Sequence, residues 1–194
     1  MGFRVDFKDL YRLCENQPSR IGFEFLRKAI IHGTEVEEIH VVRHVYQPET
    51  RNAHYKLYDD RSSAYNGECI VFDINYCSSL EGRPLDLGFA LCKELMHVFD
   101  PIESRINSKE KFKQFLRDMQ NLPIQNDHVT VERIAQWMAV LVLFPKKLRD
   151  ATLKERDEKG MLMVELVQRL LLPERVIASG LDTYYDIAWT TLTQ

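Results

Sequence analysis

Three side chains capable of acid–base or ligand chemistry fall together near the middle of the sequence: Lys93, Glu94 and His97. At helical spacing, positions three and four apart share a face, so a helix here presents an ammonium, a carboxylate and an imidazole side by side. The surrounding stretch, residues 85–99, reads LDLGFALCKELMHVF. Its face through 86, 90, 93, 94 and 97 carries all the polar residues, and the rest of the circumference is apolar. Such a helix belongs in a core. Two readings follow. If the stripe faces water, these are ordinary surface charges; if it lines a pocket, they form a site.

The segment Lys93-Glu94-Leu95-Met96-His97 differs from His-Glu-x-x-His at one position. In that motif, histidines at i and i+4 grip one zinc ion from a single helix face. The glutamate between them takes a proton from the metal-bound water. Glu94 stands at the base position, His97 at the second-ligand position and Lys93 at the first. A protonated lysine has three donors and no lone pair, so it cannot coordinate a metal. A neutral lysine would need a large pKa depression.

A second fragment, Val131-Glu132-Arg133-Ile134-Ala135-Gln136-Trp137-Met138-Ala139, leads into an apolar run that ends at Leu143-Phe144-Pro145. Taken alone, Glu132 suits the first turn of a helix, where the dipole favours a carboxylate, and the alanines suit close helix packing. Taken with the first fragment, the pattern resembles the ImmA/IrrE metallopeptidase family. Phe89-Ala90-Leu91-Cys92-Lys93-Glu94-Leu95-Met96-His97 is similar to that family's Phe-Thr-Leu-Ala-His-Glu-Leu-Gly-His. The second fragment is similar to its Glu-x-x-Ala-Asn-x-Phe-Ala followed by Leu-Met-Pro. Gln136 replaces the usual Asn, Phe144 the usual Met, Met96 a Gly and Lys93 the first histidine. The likeness spans roughly residues 65–150, at the level of motif placement.

The resemblance implies a zincin-like fold, with Glu94 as a vestigial general base and His97 and Glu132 as vestigial metal ligands. It implies that Lys93 shares their cavity as an internal ion pair. The expected function is that of a catalytically inactive, metallopeptidase-like pseudoenzyme acting as a binding or regulatory module. Family members are associated with phage and mobile-element regulation, so a protein or peptide partner is expected, including a helix-turn-helix regulator. No cofactor is expected on this reading. An active zinc endopeptidase is the alternative and needs a substitute ligand. His128, His54 and His44 are the candidates, whereas Cys92 points about 100° away from Lys93 on a regular helix. A third reading is a structural interaction domain without an ancestral site, in which residues 162–189 carry the contacts.

The elements that must position these groups are legible from periodicity. Helices are predicted at 7–15, 18–31, 84–99, 108–120, 130–144, 147–157, 160–172 and 174–192, the last broken near Gly180. Strands are predicted at 36–46, 54–58 and 68–76, with turns at 47–53 and 62–67. Helices, then strands, then helices indicate an α+β fold. We expect a small, mostly antiparallel three-stranded sheet packed on a mainly helical single domain, 1–194. Within it, 1–60 is a lead-in with the first strands, 65–150 the core and 151–194 the C-terminal helices.

Composition excludes several classes. The chain has 194 residues, 45% of them hydrophobic and 28% charged, with a net charge of −3. No bulk basic surface favours direct nucleic-acid binding. The longest apolar run, 138–145, falls far short of the roughly eighteen residues that would suggest a membrane span. No signal-peptide pattern opens the sequence, and Asp6 breaks a myristoylation motif. The four cysteines, Cys14, Cys69, Cys77 and Cys92, form no Cys-x-x-Cys pair, so reduced core thiols in a cytoplasmic protein are expected. There is no nucleophile elbow, Walker loop or dinucleotide fingerprint.

Overall fold

A computed structural model describes residues 5–45, 53–58, 70–101 and 127–194, with the backbone alone for 127–129. The fold is α+β with a helical majority and one three-stranded mixed sheet. Two helices lead, α1 (Phe7–Glu15) and α2 (Phe23–Gly33). Asp6 caps α1 by accepting from the Asp9 amide at 2.9 Å, which satisfies one of the free first-turn donors. The second helix starts five residues later than its pattern suggested. Pro18 lies instead in the connecting turn, and Gly22 stands at the N-cap.

The strands are β1 (Glu38–His44), β2 (Ala53–Tyr58) and β3 (Val71–Cys77). Their order is β1-β3-β2, with β1 parallel and β2 antiparallel to β3. The sheet is therefore mixed rather than mostly antiparallel. The reason lies in β3, whose first four residues are all buried. A strand buried on both faces belongs in the centre, paired on both edges. It therefore inserts between β1 and β2, which periodicity alone would have placed side by side.

Helix α3 (Pro84–Met96) begins with proline at its first position, where the missing N–H costs nothing. Then come α4 (Asp127–Leu143), α5 (Lys146–Lys159), α6 (Met163–Leu170), α7 (Glu174–Leu181) and α8 (Tyr184–Thr193). The predicted breaks fall where the chain turns. Gly160 ends α5 in the left-handed region, at φ 63°, and α7 gives way to α8 just past Gly180. The predicted helix at 108–120, the predicted turns at 47–53 (except Ala53, which opens β2) and 62–67, and Cys69 lie outside the described residues.

Every residue from Met138 to Phe144 is buried. A helix apolar all round is a central helix, and α4 packs against α3 on one side and against α1, α7 and α8 on others. Ala135 and Ala139, both fully buried, carry no bulk that would hold α3 and α4 apart. Among the described residues, no helix is long and apolar enough to cross a membrane.

Candidate functional site

The contact between α3 and α4 sets the site. Helix α3 stops at Met96, and His97–Phe99 tighten into a 3-10 turn. Sequence periodicity had carried the helix through 99. The early stop follows from Pro101, because the residue before a proline is pushed out of the helical region, and Asp100 is extended at ψ 144°. That turn returns the Asp100 carboxylate onto the preceding imidazole. His97 Nδ1 donates to Asp100 Oδ2 at 2.8 Å, and Tyr55 Oη on β2 donates to the same oxygen at 2.9 Å. The Tyr55 ring stacks on the imidazole, with centroids 4.4 Å apart.

Asp100 thus fixes a proton on Nδ1 and aims Nε2 into the α3–α4 contact. Carboxylates hold ligating or catalytic histidines in this way. Nε2 lies 3.8 Å from Glu94 Oε2 and 3.6 Å from Glu132 Oε1. The side chains of His97 and Glu94 are 1% and 2% exposed. Among the described residues, neither His97 Nε2 nor Glu94 Oε2 has a hydrogen-bond partner. Buried polar atoms without partners are rare and mark sites that carry strain or chemistry.

Lys93 closes the cluster. Its Nζ lies 2.9 Å from Glu94 Oε1 and donates to Glu132 Oε2 at 2.5 Å. One ammonium therefore bridges the outer oxygens of both carboxylates, while their inner oxygens face His97. Burial pushes the Lys93 pKa down, but Glu94 and Glu132 more than reverse this, and the net direction is up. Burial likewise lowers the His97 pKa, and Asp100, Glu132 and Glu94 together raise it above the ordinary imidazole value. Three carboxylates thus face Lys93 and an imidazole disposed to hold a second proton.

A zinc site does not fit this donor set. The position of a first histidine ligand holds a cation whose pKa moves the wrong way for coordination, and whose charge would repel a dication. Among the described residues, no group of three or more His, Cys, Asp and Glu is arranged to hold a metal ion.

The four residues singled out in the sequence, Lys93, Glu94, His97 and Glu132, come together. Two of the three candidate replacement ligands, His44 and His54, do not join them. His44 Nε2 contacts Asn75 Oδ1 at 2.7 Å, and His54 sits opposite Asn75 in the sheet register. Side chains alternate along a strand, so both lie on the sheet face away from Tyr55 and His97. The side chain of His128 lies outside the described residues. Asp86, on the same predicted stripe, is tied to Arg175 on α7 at 3.0 Å. Cys92 is fully buried, and burial pushes its thiol up to about 12.

Sequence reading missed Asp100 and Tyr55. The i, i+3 spacing of His97 and Asp100 was a usable signal. Tyr55 left none, because it reaches the site only through the fold.

In comparisons with known proteins, no family model, no curated protein and no solved structure matches this chain.

Proposed function

We propose that this chain is a zincin-like, ImmA/IrrE-type domain whose metal centre has been replaced by an internal ion-pair cluster, and that it acts in the cytoplasm as a binding or regulatory module rather than as a peptidase. One observation carries the reading: Lys93 Nζ contacts both Glu94 and Glu132, so a side chain stands where the resemblance would put a metal. Two facing carboxylates need a cation between them, and Lys93 supplies one. His97 keeps the orienting Asp100 that a metal ligand or a general base would need, so the surroundings of the centre outlast its chemistry. Glu94 faces an ammonium where the family's general base would face a metal-bound water. The implied partner is a protein or peptide, including a helix-turn-helix regulator of a phage or mobile element. That last step is an analogy to the family and not a property of the geometry.

The test is metal analysis of purified wild type beside Lys93→His. Metal-free wild type and about one zinc per chain in the variant are expected. Stoichiometric zinc in the wild type would overturn the reading and restore the active zinc endopeptidase. A Lys93→His variant that folds and still binds no metal would remove the ancestral-site argument.

A further inference from the structure

A cavity of about 290 Å³ opens between the α1–α2 turn, the start of α5 and the end of α6. Its apolar lining includes Cys14, Ile21, Leu143 and Leu172, all buried. Its polar lining includes Arg20, Lys147, Arg169 and Glu15. None of these residues belongs to the Lys93 cluster, so the argument here is independent of the function proposed above.

The two cations at the mouth are held in place without being neutralised. Arg20 Nη2 donates to the carbonyl of Leu171 at 2.5 Å, and Lys147 Nζ donates to Asn16 Oδ1 at 3.1 Å. Both acceptors are neutral, and neither cation makes an ion pair among the described residues. Arg169, in contrast, is paired with Glu155. Glu155 lies outside the lining and is shared with Lys159, so Arg20, Lys147 and Arg169 stand against Glu15 and the cavity is net positive. Leu171 supports the arrangement at a conformational cost. It has φ 52° and is the only non-glycine residue with positive φ among those described. A left-handed leucine costs on the order of 1 kcal/mol or more, and the turn it makes presents the carbonyl that anchors Arg20.

An apolar interior with a net-positive mouth matches an amphipathic anion. We infer that this cavity is a binding site for a small organic carboxylate with an apolar body. At about 30 Å³ per water-sized unit, the volume accommodates a body of roughly ten non-hydrogen atoms. The carboxylate meets Arg20 and Lys147, and the body lies on Ile21, Leu143 and Leu172. Charge-assisted contacts of this kind fix orientation, while apolar burial supplies most of the affinity.

The probe is 4-phenylbutyrate, titrated into the full chain and followed by two-dimensional NMR. Acetate serves as a head-only control and 4-phenylbutan-1-ol as a body-only control. Saturable shifts confined to residues around the cavity are expected, with both controls weaker by about tenfold or more. The Arg20→Gln, Lys147→Gln double variant should also lose about tenfold in affinity. Both side chains are exposed, so the variant should fold; if it does not, Lys147→Gln alone carries the test. No saturable binding of the carboxylate overturns the inference. So does equal binding of the alcohol, or affinity unchanged in the variant.

Discussion

Lys93 on α3 and Glu132 on α4 lie thirty-nine positions apart in sequence and meet at 2.5 Å, so one ammonium ties together the two helices at the centre of the fold. Their side chains are 18% and 21% exposed, and Glu94 behind them is nearly inaccessible. In such a place, losing one partner leaves an uncompensated buried charge. Lys93→Met should therefore destabilise the protein by about 3 kcal/mol, read as a lowered urea midpoint with an unchanged slope. Adding Glu132→Gln should recover part of the loss. A loss below about 1 kcal/mol would reduce the bridge to a solvent-screened surface pair.

Tyr55 offers a milder perturbation of the same cluster. Its hydroxyl is one of the donors on the buried Asp100 carboxylate, alongside His97. Tyr55→Phe keeps the ring stacked and removes that donor, at a cost of about 1–2 kcal/mol. With less of its charge dispersed, Asp100 should hold the imidazolium more tightly, so the His97 pKa should rise further. An imidazole titration by NMR measures this directly; a fall would mean that the hydroxyl was stabilising the cation by a route other than Asp100.

How much of this was written in the sequence varies with the kind of information each element needed. Helix α1, expected at 7–15, has those ends; Asp6, which caps it, was a local signal left unread. All three strands were found, but not their order. The first half of β3 is buried on both faces, and no local pattern names the neighbours of such a strand. The meeting of Glu132 with Lys93 and His97 was expected from the resemblance of two separated fragments to a family, since spacing within either fragment could not supply it. Asp100 was legible in principle, three residues past His97 and before a proline. Tyr55 was not, because a contact across 42 positions depends on register and packing.

Gly180 tests a purely structural reading of the C-terminal helices. A Cβ built there would lie 2.1 Å from Phe144 Cδ1 and 2.7 Å from Cε1. Phe144 is fully buried, and its carbonyl accepts from Tyr185 Oη at 2.9 Å, so it has little room to yield. Gly180→Ala should cost about 1–3 kcal/mol by overpacking. Gly88 in α3 is the control. A Cβ there meets nothing within 4 Å, and Gly88→Ala should stabilise by up to about 1 kcal/mol through helix propensity. Equal effects at the two positions, by thermal or urea unfolding, would contradict the close approach of α7 to the end of α4.

The direction of the His97 shift also fixes how stability depends on pH. Burial opposes the imidazolium, but Asp100, Glu132 and Glu94 overcome it, so the folded-state pKa lies above the unfolded value of 6.5. Below pH 6.5 both states hold the proton, and the full stabilisation is present. Between 6.5 and the folded pKa, the unfolded chain releases its proton while the native one keeps it, so stability falls as pH rises. Above the folded pKa this contribution is gone. Urea midpoints compared at pH 6 and at pH 8–9 should therefore drop on the alkaline side for the wild type. The His97→Gln variant, less stable throughout, should lose that slope. Wild-type stability that rises over the same interval would mean that the buried imidazole is held neutral, with desolvation outweighing the three carboxylates around it.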